Sequence, residues 1–171
     1  GALCPGRARG RRLMGEDCLA EVRCVDLERV VGPRVLPLAG LGEDLGAHAA
    51  NVTERLGFLL AHRPGFVAPT VAARKLATLD QLCDGRLAVH IISGGRDGDQ
   101  AKDGDYVDHP GRYRRSAEYV DILRRVWTET HPFDHEGEFY KFEAAHADIR
   151  CASDPHIPIY GGGGSDAAVD L

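Results

Sequence analysis

The sequence predicts an α/β fold in which parallel strands alternate with helices, and three observations predict it. Leu87, Ala88, Val89, Ile91 and Ile92 form a nearly continuous apolar run, the composition of a strand buried on both faces. Ala72, Leu76, Leu79 and Cys83 recur at steps of four, three and four, which marks one face of a helix. Elements of these two kinds take turns along the chain, and such alternation implies βα units joined by right-handed crossovers. An open doubly wound sheet and a closed barrel both satisfy this pattern.

The elements follow in order. Cys18 to Val31 has the spacing of one amphipathic helix, and Val35 to Leu38 that of a short strand, against which Pro37 counts. Glu43 to Leu56 reads as a helix, with its acidic residues in the first turn where the dipole favours them. Gly57 to His62 is a short apolar strand. Pro69 suits a first helical turn, and Asp84-Gly85 stops the helix that follows. Ser93 to Asp108 reads as a long polar loop, and a loop of that length inside a compact domain is usually functional. Asp108 is placed to cap a helix running to about Trp127, whose expected inner face is Tyr113, Ala117, Val120, Leu123 and Trp127. Residues 131–138 form a turn-rich excursion, Phe139 to Phe142 an edge strand, and Ile157 to Tyr160 the last strand.

Composition excludes several functions. The chain of 171 residues is 43% hydrophobic and 27% charged, an ordinary globular balance. A net charge of −5 argues against general nucleic-acid binding, and the basic arm Arg7, Arg9, Arg11, Arg12 is expected to be a solvated terminus. The five cysteines are irregularly spaced without a C-x-x-C, so no zinc site or disulfide framework is expected, and a reducing cytoplasm is the natural compartment. No apolar run approaches the ~20 residues of a membrane span. Two groupings suggest metals and fail on spacing. The aspartates between Asp97 and Asp108 lack the closing glutamate of a calcium loop, and Pro132 prevents His131 and His135 from sharing a helical face.

One motif suits a phosphate. The run Ile157-Pro158-Ile159-Tyr160 feeds Gly161 to Gly164 and then Ser165-Asp166, a strand, a glycine turn and a helix start. Glycines allow close backbone approach, and a helix N-terminus offers free N–H groups to an anion. An ordinary strand-to-helix turn has the same composition.

Several pieces together resemble the bacterial luciferase-like flavin-dependent monooxygenases, most closely the alkanesulfonate monooxygenase branch. They are Thr53-Glu54-Arg55-Leu56, Pro69 to Asp80, Asp84-Gly85-Arg86-Leu87, His109-x-x-x-Tyr113 followed by Glu118, Phe139 to Glu143, and Pro155-x-Ile157 to Gly162. The resemblance covers residues 42–171 and implies a (β/α)8 barrel. It implies reduced FMN with molecular oxygen, a separate flavin reductase as partner, a small organosulfur substrate released as aldehyde and sulfite, and a homo-oligomer. A deazaflavin (F420)-dependent oxidoreductase of the same superfamily, or a non-catalytic flavin-binding protein, are the alternatives. By resemblance Ser165 binds the FMN phosphate with Gly163 and Gly164 in the same turn, His109 and Tyr113 contact that phosphate, Ser93 lines the flavin pocket, and Asp44 lies near the flavin.

The chain also departs from the family. Residues 1–41 read as a divergent segment without the family's first strand, and Gly42 stands where the sulfonate branch has a cysteine. A complete barrel takes about 250 residues, and the later strands carrying the family's catalytic arginine and histidine are not in this sequence. The expectation is a partial barrel, a fragment that is poorly stable and inactive by itself.

Overall fold

The computed structural model describes residues 23–24, 35–37 and 42–162, the backbone alone for 23–24, 35–37 and 42–45. Strands β1 (Arg23–Cys24), β2 (Val35–Pro37), β3 (Gly57–His62), β4 (Leu87–Ile91) and β7 (Ile159–Gly161) form one parallel sheet in the order β1-β7-β4-β3-β2. From β2 through β3 and β4 to β7, each strand is added beside its predecessor in one direction. A doubly wound sheet would instead reverse at a switch point. The exception is β1, which pairs with β7 at the far edge instead of lying beside β2. Its two residues fall within the stretch expected to be a helix from Cys18, so for Arg23 and Cys24 that expectation is corrected. Strand β2 stands at the end of the described sheet, where Pro37 is tolerated.

Between the strands lie α1 (Gly42–Asn51), α2 (Pro69–Leu82), a short α3 (Asp97–Lys102) and α4 (His109–Thr128). Alternation along β3 and β4 puts Phe58, Leu60, Leu87, Val89 and Ile91 on one face, where all five are buried in the core with α2 and α4. Leu76 of α2 and Leu123 of α4 are fully buried there. Each such leucine contributes roughly 1.5–3 kcal/mol relative to exposure. Trp127 Nε1 donates to the Ala73 carbonyl at 2.9 Å, tying the end of α4 to α2.

Four expectations change. The helix from Glu43 ends at Asn51 instead of Leu56. The polar loop contains α3. The inner face of α4 excludes Ala117, which is exposed, and includes Arg112, Arg115 and Ser116 beside Tyr119, Val120 and Leu123. Those polar residues turn inward because the loop supplies their partners. Finally, β5 (Phe133–Glu136) occupies the supposed turn-rich excursion and pairs antiparallel with β6 (Lys141–Ala145), so the edge strand begins later than Phe139. Glu118 of α4 holds this hairpin, accepting from the Phe139 and Tyr140 amides at 3.0 and 2.9 Å and facing His135 Nε2 at 2.9 Å.

Candidate functional site

The candidate site is a cavity at the C-terminal ends of β4 and β7. It has a volume of about 290 Å³. Ile92, Ser93, Gly94 and Gly95, which leave β4, form one wall, and His109 and Tyr113 of α4 form another. Gly162, just beyond β7, and His90 complete it.

The start of α4 is built to hold its wall. Asp108 caps the helix by accepting from the Gly111 amide at 2.9 Å, as the sequence predicted. One turn apart on one face, His109 and Tyr113 meet edge to face with ring centroids 5.1 Å apart. His109 is exposed and Tyr113 half-buried, so both reach the opening.

The opposite wall is held by Arg112, whose side chain is wholly buried. Its guanidinium donates to the Ser93 carbonyl at 3.2 Å, the Gly95 carbonyl at 2.7 Å, the Val107 carbonyl, and Asp97 Oδ1 at 2.8 Å. Both ends of the loop therefore hang on one side chain. Arg115 fixes the middle through a two-pronged pair with Asp105, both buried. The Arg115 hydrogen bond holds the Asp105 carboxyl below its usual range. The aspartates that suggested calcium thus point to separate partners: Asp97 to Arg112, Asp99 to Lys102, Asp103 to Arg63 and Asp105 to Arg115.

Of the predicted residues, the structure brings Ser93, His109 and Tyr113 to one cavity. Ser93 is buried and its hydroxyl donates to Ser116 Oγ at 2.9 Å, so it faces the helix as well as the cavity. Asp44 lies in the first turn of α1, and its side chain lies outside the described residues. Gly163, Gly164 and Ser165 also lie outside them, and Gly162 is the last described residue of their turn. Sequence reasoning missed His90, Arg112, Arg115 and Ser116. The only local signal for Arg112 was its position three residues after His109, on a turn adjoining the loop.

A larger cavity of about 590 Å³ lies beside the same loop, between Gly65-Phe66 and residues 103–107, with Arg115 on its wall. Its ionic groups are already paired, Asp105 with Arg115 on its wall and Asp103 with Arg63 outside the lining. Among the described residues, no helix is long and apolar enough to cross a membrane, and no group of three or more acidic, histidine or cysteine side chains is arranged for a metal.

A parallel α/β sheet with a cavity at its C-terminal strand ends places the chain in the class of proteins that bind their ligand beyond the carboxyl ends of the strands. The profile of the luciferase-like monooxygenase family matches residues 45–171, and the chain belongs to that family. Monooxygenase RslO1 from Streptomyces bottropensis is 28% identical with a TM-score of 0.62, over 70% of this chain and 36% of that one. The oxygenating constituent of 3,6-diketocamphane monooxygenase from Pseudomonas putida, solved with FMN, is 23% identical with a TM-score of 0.60, over 70% and 36%. An F420-dependent secondary alcohol dehydrogenase is 21% identical with a TM-score of 0.64, over 71% and 37%. The chain thus spans little more than a third of the solved proteins it resembles.

Proposed function

We propose that the protein is a flavin-dependent monooxygenase of the alkanesulfonate type, built on a (β/α)8 barrel. In this reading it takes reduced FMN from a separate flavin reductase, uses molecular oxygen, acts on a small organosulfur substrate and works as a homo-oligomer. One observation carries the reading: His109, Tyr113, Ser93 and the head of the glycine turn line a single cavity at the C-terminal end of the sheet. The one-directional strand order from β2 to β7 supports the barrel, with the buried helices α2 and α4 as part of its outer ring.

The residues fit a phosphate monoester. His109 and Tyr113 offer ring N–H and hydroxyl donors at a helix start where the dipole favours an anion. Gly162 lines the same cavity, and Gly163, Gly164 and Ser165, which follow it in sequence, are proposed as further phosphate ligands. Arg112 holds the Ser93–Gly95 wall in register with this donor pair. Reduced FMN, when bound, supplies the electrons that activate oxygen, and the protein positions it and excludes water. Asp44 is proposed near the flavin ring. The deazaflavin F420 is the alternative cofactor, supported by the F420-dependent relative.

The test is titration of the protein with reduced FMN and with reduced F420, and FMN is expected to bind more tightly. Replacing His109 with Ala is expected to weaken FMN roughly tenfold, the loss of one hydrogen bond to a charged group. Tighter binding of F420, or unchanged FMN affinity in His109→Ala, would refute the assignment.

A further inference from the structure

We infer that His90 is a further arm of the phosphate cradle, and that Gly162 lacks a side chain to leave that imidazole its place. The inference rests on the cofactor reading above and adds a residue to it.

His90 belongs to β4 but points away from the helix-covered core, since its neighbours Val89 and Ile91 are the buried core residues. It sits in register between Ala61 of β3 and Tyr160 of β7. From there it reaches the cavity shared by His109, Tyr113 and Gly162. Neither ring nitrogen of His90 is hydrogen-bonded within the described residues. Burial lowers its pKa, so the ring is neutral near pH 7 and offers one N–H donor and one acceptor. A half-buried imidazole in one cavity with His109, Tyr113 and Gly162 is placed to donate to a ligand there.

Gly162 supplies the second observation. Its backbone φ is not in the left-handed region, so conformational freedom does not explain the glycine. A Cβ there would lie 2.5 Å from His90 Nε2 and 3.2 Å from Cε1. The missing side chain therefore makes room for the ring. Its share in the cavity of the proposed phosphate donors His109 and Tyr113 is what assigns His90 to the phosphate end of the cofactor.

The experiment compares FMN with riboflavin, which lacks the phosphate, by calorimetric titration of the protein and its His90→Phe, His90→Ala, Gly162→Ala and His90→Ala/Gly162→Ala variants. His90→Phe is expected to weaken FMN by roughly 10- to 100-fold, as for a lost hydrogen bond to a charged group. Riboflavin should bind that variant as it binds the wild type, which also shows that the pocket still folds. Gly162→Ala should weaken FMN in the wild-type background and have no further effect once His90 is Ala. Equal losses for FMN and riboflavin, unchanged FMN affinity in His90→Phe, or a Gly162→Ala effect that persists without the imidazole would each overturn the inference. Wild-type protein that binds FMN no better than riboflavin would overturn the cofactor reading itself and this inference with it.

Discussion

Replacing Arg112 with Met removes all the donors that tie the two ends of the 93–108 loop together while keeping most of the side-chain volume. The cost can be worked from what each acceptor does afterwards. Asp97 is 68% exposed and rehydrates, so its lost pair contributes little. Gly95 is exposed and Val107 half-buried, so their carbonyls find water with modest loss. Ser93 is buried, and its carbonyl is left without its Arg112 donor, a penalty of about 1–3 kcal/mol. Two further net hydrogen bonds at about 0.5–1.5 kcal/mol each bring the total to roughly 2–6 kcal/mol. Desolvation of the buried guanidinium is regained and pulls the net toward the lower end. The assay is urea unfolding monitored by Trp127 fluorescence, with Arg112→Lys as a partner variant that keeps the charge but not the fork. The lysine should recover less than half of the loss. A methionine variant within about 0.5 kcal/mol of wild type, the range of a neutral surface change, would refute the view that Arg112 holds the loop.

Two further outcomes follow from the same region. Gly65 has φ +105°, and a Cβ there would meet the Arg115 guanidinium at 2.6 Å, so Gly65→Ala should destabilise by about 1–3 kcal/mol and loosen the Arg115–Asp105 pair, measured by the same unfolding curves. Asp105 has its pKa lowered chiefly by the Arg115 hydrogen bond, so below the usual carboxylate value the unfolded chain takes up a proton that the folded chain refuses. The stability this pair confers is complete above that value and is lost as pH falls through the lowered one. Midpoints measured from pH 5 downward should show a slope that Asp105→Asn removes; an unchanged slope would refute the pair's contribution.

The fold was legible wherever a local pattern met a local cause. The α2 face Ala72, Leu76, Leu79 and Cys83 is buried throughout, and the Asp84-Gly85 stop works through positive φ at both residues. The early end of α1 was not legible, because its cause lies elsewhere in the chain. Arg86 reaches back to the Ala50 and Leu56 carbonyls at 3.4 and 2.7 Å, and Thr53 donates to the Ala49 carbonyl at 2.7 Å. Those carbonyls are satisfied without another helical turn, and no window around residue 52 contains Arg86. The hairpin of β5 and β6 was obscured likewise, since its anchor Glu118 lies in α4.

The site shows the same division more sharply. His109 and Tyr113 could be proposed because one helical turn places them on one face near a helix start, all within five residues of sequence. His90 alternates with core residues and reads as part of an apolar strand; only the position of Gly162 across the sheet shows that its ring has been given space. Arg112 and Arg115 carried no such signal in the sequence, because arginines are mostly exposed. They turn inward here because the loop opposite presents backbone carbonyls, that of the buried Ser93 among them, and the buried Asp105 carboxylate. One helix therefore supplies both the donors that face the cavity and the clamp that sets the opposing wall. A change at Arg112 should consequently alter FMN affinity without touching the ligand, and one at His109 should alter affinity while leaving the unfolding midpoint in place. That separation of binding from stability along a single helix is the physical content of the site.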